Sequence, residues 1–225
     1  MGVIERKERE RESRRKLILD SARDLILEHG VEAVSMVDIA HECELSKATL
    51  YLYFRNKESL LEAIYEEAGH SFVEYIESRM SENDSGISAI KVLWQGYLDR
   101  FSDSNDIFIL IGIKNYIAPS FPLIQESPSR TARNPGVRLV TLIRDVIARG
   151  IKDGTLEADL DADTVARTVL IVSSGIIDTV ARLPRDLRDM SIVVSEMKRV
   201  FEIFLRGISG AKVDRSQLIL STSKK

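Results

Sequence analysis

Apolar side chains recur along most of the chain at the three- and four-residue spacing of a helix. Ile18, Ala22, Leu25 and Ile26 share one face, and that pattern stops at His29-Gly30. Ser35 is placed to cap a short helix ending near Cys43, with Asp38 three residues on as its capping-box partner. Ser46 caps the next, from Lys47 to about Phe54, and Asn56 a longer one from Lys57 to about Met80. Ser81–Gly86 reads as a loop. Further helices are predicted at roughly 87–102, 105–117, 136–152, 162–182 and 187–207. Val165–Val172 and Ile107–Ile113 are rich in β-branched residues, but each lies inside a longer helical period and reads as a buried helix face. No alternating run is long enough for a strand, so the predicted fold class is all-α.

Four of the five prolines fall between Pro119 and Pro135, and the fifth is Pro184, which leaves residues 1–118 free to be helical. The segment 118–135 reads as a connector and Gly210–Lys225 as a tail. The expected domains are 1–57, a three-helix head; 58–210, a helical body; and 211–225, the tail.

Composition narrows the function classes. A chain of 225 residues can bury a large core. Its net charge of -3 gives no bulk sign of a nucleic-acid partner, so any such signal must be local. Residues 5–16 do concentrate cations, seven basic against four acidic. The single cysteine, Cys43, excludes an intramolecular disulfide framework and a cysteine-based zinc cluster, and reads as a buried structural thiol. The longest wholly apolar run, Ile107–Ile113, is far below the roughly 20 residues that span a bilayer, and the expected location is cytoplasmic.

Residues 35–57 carry the chemistry. Two short capped helices meet at a tight turn, Glu44-Leu45, and Ile39, Ala40, Leu45, Leu50 and Phe54 can form a small core between them. This is the layout of a helix-turn-helix, whose second helix puts its N-terminal residues into the major groove of DNA. Lys47 supplies a cation there; Thr49, Tyr51 and Tyr53 supply hydroxyls for phosphates or base edges; Lys57 sits at the start of the following helix. The same pattern also occurs in helical proteins that never touch DNA, and both readings stand on pattern alone.

Other chemistries lack their motifs. His41-Glu42 begins like a zinc-protease His-Glu-x-x-His, but position 45 is Leu. There is no phosphate loop, dinucleotide fingerprint or Gly-x-Ser-x-Gly, and Ser173-Ser174-Gly175 reads as a close-packing site. The expectation is no metal, no cofactor and no enzyme activity.

Ile39-Ala40, Leu45-Ser46-Lys47-Ala48-Thr49-Leu50-Tyr51-Leu52-Tyr53-Phe54 and Asn56-Lys57-Glu58-Ser59-Leu60 together resemble the DNA-binding signature of the TetR family of bacterial transcriptional regulators. The resemblance covers about residues 15–62. It implies a homodimer that binds pseudo-palindromic double-stranded operator DNA and represses transcription until a small effector binds. Carried over by position, it implies Ser35, Met36 and Val37 near a phosphate, Lys47 and Ala48 at base edges, Thr49, Tyr51 and Tyr53 on the backbone, and Lys57 on phosphate. At Ala48 the family often has Gly, which leaves the methyl here to touch a thymine methyl. The chain also departs from the family at Glu44, where Gly is common; a positive φ there would cost about 1 kcal/mol or more.

The body holds aromatic residues, Phe72, Trp94, Tyr97, Phe101, Phe108 and Tyr116 among them, on the segments that line the effector cavity in that family. Most aromatics in a helical domain are core, so these are expected either to fill the body or to receive a small apolar effector. The two most apolar helices, 162–182 and 187–207, carry Val165, Val169, Ile176, Val193, Met197 and Phe201, expected at the dimer seam. The helix from Lys57 is expected to be the sole direct covalent link from body to head, with 118–135 as the effector's way in. The alternative reading is a helical small-molecule carrier or enzyme with an incidental helix-turn-helix.

Overall fold

The computed structural model describes residues 2–103, 113, 135–181 and 190–221. Among them the regular structure is helical: α1 (Val3–His29), α2 (Met36–Glu42), α3 (Lys47–Tyr53), α4 (Lys57–Glu77), α5 (Gly86–Asp103), α6 (Pro135–Asp153), α7 (Ala162–Ala181) and α8 (Met190–Ile208), then a 3₁₀ turn at Arg215–Gln217. The all-α class is as expected. The predicted helix 105–117 (Ile113 apart) and most of the connector 118–135, with Phe108 and Tyr116, lie outside the described residues, as does the side chain of Phe101.

The chain divides into two compact units, Met1–Ala68 with Phe108–Phe121, and Gly69–Ile107 with Pro122–Lys225. The first unit is built around α1 to α3 and the start of α4. Ile18, Leu19 and Ala22 of α1 are buried with Ile39 of α2 and Leu50 of α3. Leu60, Leu61 and Ile64 join this core, which is why the boundary falls inside α4 rather than at residue 57. Ile113 is fully buried in the same core. Ile113 lies beyond α5 in the chain, so the helix from Lys57 is not the only segment that joins this unit.

In the second unit α5 packs on α6 and α8, and α7 on α6 and α8. The start of α5 is fastened to the end of α6: the N–H of Gly86 donates to the Asp153 carboxylate at 2.7 Å, and that of Ile87 to the Thr155 hydroxyl at 3.1 Å. The approach is close enough that a Cβ on Gly86 would stand 2.0 Å from the Gly150 Cα. Gly86→Ala therefore forces α5 and α6 apart and lowers stability by about 1–3 kcal/mol, read as a shift in the urea midpoint.

The tail expectation is corrected. Leu218 and Leu220 are buried, the N–H of Leu220 donates to Glu202 Oε1 at 3.0 Å, and Ser221 exchanges hydrogen bonds with the Gln95 side chain at 2.8 and 2.9 Å. Two leucines separated by one residue offer a sequence reading no helical period to follow.

Candidate nucleic-acid interface

Local hydrogen bonds define both helices of the motif. The Ser35 hydroxyl oxygen accepts from the N–H groups of Val37 and Asp38 at 3.2 and 3.3 Å, while the Asp38 carboxylate accepts from the Ser35 N–H at 2.8 Å and its hydroxyl at 2.6 Å. These two Ser35 donors hold the Asp38 carboxyl below its usual range. Ser46 caps α3, accepting from the N–H of Thr49 at 3.1 Å. Asn56 precedes α4 and accepts from the N–H of Ser59 at 2.9 Å.

The turn between α2 and α3 is a Schellman motif. The N–H of Glu44 donates to His41 O at 3.0 Å and that of Leu45 to Ala40 O at 2.8 Å. Glu44 is left-handed, with φ 53°, in the place where a glycine avoids the Cβ clash. Glu44→Gly raises stability by up to about 1 kcal/mol, the relief being partly offset by the freer unfolded chain. Denaturant titration checks this; a destabilised variant would mean that the Glu44 side chain holds the turn.

The motif's inward face is filled by Ile39, Ala40, Cys43, Leu50 and Phe54. Burial pushes the Cys43 thiol up, with a hydrogen bond involving Ser21 opposing. Outward, α3 exposes Lys47, Ala48, Tyr51 and Leu52, positions i, i+1, i+4 and i+5 of one helical face. Leu52, 79% exposed, has no role in the sequence reading. The sequence signal for it is its position one turn after Ala48, whose methyl is expected to be available to a thymine methyl. Ser35 and Val37 are exposed at the start of α2.

Four expected contacts sit differently. The Met36 side chain is buried in the head core. Tyr53 is half-buried against the same core. The Thr49 hydroxyl lies 2.8 Å from that of Ser46 and reinforces the cap. Lys57 is partly buried, and its Nζ donates to Val31 O at 2.5 Å, fastening α4 to the turn before α2. Desolvation lowers its pKa, against the raising effect of Glu58, Glu32 and Asp38. Lys57→Ala accordingly lowers the head's thermal stability, by about 1 kcal/mol. A solely phosphate-binding lysine would leave the melting curve unchanged.

The family model described as "Bacterial regulatory proteins, tetR family" matches residues 18–64, which begin at the first core residue of α1 and end at Ile64 of α4. Residues 18–64 thus carry the N-terminal DNA-binding segment of the TetR family. The Transposon Tn10 TetC protein of Escherichia coli is 33% identical over 94 residues, 42% of this chain and 47% of TetC, so the match spans about half of that relative. The transcriptional repressor KstR2 of Mycolicibacterium smegmatis is 23% identical over 158 residues, 70% of this chain and 74% of that one. The solved structure of the fatty acid degradation regulator FadR from Bacillus halodurans shares the fold, with a TM-score of 0.65, 21% identity and coverage of 88% of this chain and 97% of that one. In TetR-family terms, α2 is the supporting helix and α3 the recognition helix.

The residues expected at an effector site come together only in part. Phe72 and Tyr97 meet edge to face at 4.9 Å, Trp94 stacks on Phe201 at 4.9 Å, and Tyr97 meets Phe201 edge to face at 5.9 Å. Among the described residues, Trp94 Nε1 is the only buried side-chain nitrogen or oxygen without a hydrogen-bond partner.

Four of the six residues expected at a dimer seam face inward instead. Val169, Val193, Met197 and Phe201 are buried inside their own unit, and Val165 and Ile176 are half-buried. Among the described side chains of these two helices, the exposed large apolar ones are Ile171 at 44%, Ile192 at 58% and Ile203 at 69%. Both helices are apolar on more than one face, so their apolar composition marks the inward face of α8 as readily as the outward one.

Proposed function

We propose that the protein is a sequence-specific DNA-binding transcriptional regulator, a repressor that a small apolar effector releases. The observation that carries this reading is the recognition helix. Its inner face is fixed in a hydrophobic core, its start is capped, and its outer face presents Lys47, Ala48, Tyr51 and Leu52. A short helix held in this way can present a cation, a methyl, a phenol and a branched apolar group to base edges and phosphates. No helix among the described residues is long and apolar enough to cross a membrane, and we place the regulator in the cytoplasm with its DNA.

A homodimer follows from the need to hold two such helices on a pseudo-palindrome. Ile192 and Ile203 lie on one stripe of α8, with the Glu196–Arg199 ion pair (2.8 Å) between them, and Ile171 is exposed on the neighbouring α7. This face fits a seam with a second copy. The aromatic cluster around Trp94, with its unpartnered indole N–H, suits an apolar effector that bears a hydrogen-bond acceptor, and the name of FadR is in keeping with an apolar effector class. Mobility shift on duplexes selected from a random pool tests the reading. A protein that binds apolar ligands and retards no duplex would be the carrier of the alternative reading.

A further inference from the structure

α1 is 27 residues long, but the core uses only part of it. Leu17 is 49% exposed and Ile18 is 0% exposed, so the packed part begins abruptly at Ile18. The preceding stretch, Val3–Leu17, is a helical arm of ~22 Å at 1.5 Å per residue. Its charges are sorted by face. Lys7, Arg11, Arg14 and Arg15 fall at i, i+4, i+7 and i+8, in line with Ile18 and Ala22 one and two turns on. Glu5, Glu8 and Glu12 lie on another face.

The acidic residues do not neutralise this stripe. Glu5 Oε2 accepts from the Gly2 N–H at 3.0 Å, and Glu10 pairs with Arg6 at 3.1 Å. Among the described residues, Lys7, Arg11 and Arg14 have no ion pair and are exposed. The Arg15 guanidinium lies 5.5 Å from the centre of the Phe54 ring, the residue that ends the recognition helix. The stripe therefore runs outward from the end of that helix.

We infer that the arm is a second DNA-binding element, whose cations engage the phosphates that flank each half-site. This rests on the DNA-binding reading above. The complementarity is that of a row of unpaired cations with a polyanion carrying one phosphate per about 3.4 Å of each strand, so ~22 Å reaches about six base pairs. Phosphate contacts add affinity without sequence preference.

The test uses the full-length protein and a labelled duplex of mixed sequence, about 40 base pairs, titrated by fluorescence anisotropy from about 50 to 200 mM salt. In the triple variant Lys7→Gln, Arg11→Gln, Arg14→Gln, the slope of log affinity on log salt becomes shallower by about 0.9 for each phosphate that is no longer neutralised, about 3 for each subunit and about 5 for a bound dimer. Arg11→Gln alone changes it by about 0.9 for each subunit, about 2 for the dimer, and keeps the test valid if circular dichroism shows the triple variant unfolded. A control with the same charge change, Lys152→Gln, Arg167→Gln, Arg206→Gln, retains the wild-type slope. A wild-type slope in the arm variant, or an equal loss in the control, overturns the arm alone. Absence of any wild-type binding overturns the arm and the DNA-binding reading together.

Discussion

Phe201→Glu unfolds the body of the protein, whereas Ile203→Glu leaves a folded monomer. The two positions are two residues apart on α8 and differ in what covers them. Phe201 is 1% exposed and stacked on Trp94. Replacing its ring costs about 3–5 kcal/mol in packing, and an unpaired carboxylate in that space costs several more. That is comparable with the whole stability of a typical domain, about 5–15 kcal/mol. Ile203 is 69% exposed, so a glutamate there changes the isolated subunit by no more than about 0.5 kcal/mol. Across a two-fold seam it sets carboxylates into an apolar contact on both copies. Circular dichroism is expected to show loss of the cooperative transition for Phe201→Glu only. Sedimentation is expected to show monomers for Ile203→Glu, with operator affinity abolished although the head is untouched. An intact dimer in both Ile203→Glu and Ile192→Glu would move the seam to another face.

Lys47→Ala weakens operator binding by about 1–3 kcal/mol and alters the base preference at the position it reads. Lys47 is exposed at the first position of the recognition helix and carries no part of the core, so the variant folds as the wild type does. Met36→Ala is the opposite case: it removes a buried side chain and lowers head stability without changing base preference. Footprints of Lys47→Ala that matched the wild type in strength and sequence would remove α3 from the groove.

What is legible in the sequence is what local chemistry decides. Ser35 with Asp38, and Ser46 with the α3 N-terminus, are bonds between residues two or three apart, and both caps fall where the sequence places them. The left-handed turn at Glu44 is signalled only by the family resemblance, which has Gly there, and the chain adopts it with a non-glycine residue. Contacts between distant segments are not legible. Lys57 reaches Val31 across 26 positions and Gln95 reaches Ser221 across 126, and no periodicity encodes either pairing. Met36 differs from its expected place for another reason. A helix of seven residues has too few positions to fix its phase, so which of Met36 and Val37 turns inward is decided by the packing of Ile18 and Leu19 from α1. The dimer residues differ because amphipathic phase shows that a helix has an apolar face without saying whether its own subunit or a second copy covers it.

The central claim is that the outer face of α3 reads DNA sequence. It is tested most directly by selecting duplexes from a random pool with the wild-type protein and titrating the selected sequence with wild type, Lys47→Ala and Leu52→Ala. The expected result is an enriched pseudo-palindrome with half-sites about one DNA turn apart or a little more, roughly 34–36 Å, bound more weakly by both variants. A pool that yields no preferred sequence, or a preferred sequence that both variants bind with wild-type affinity, would contradict it.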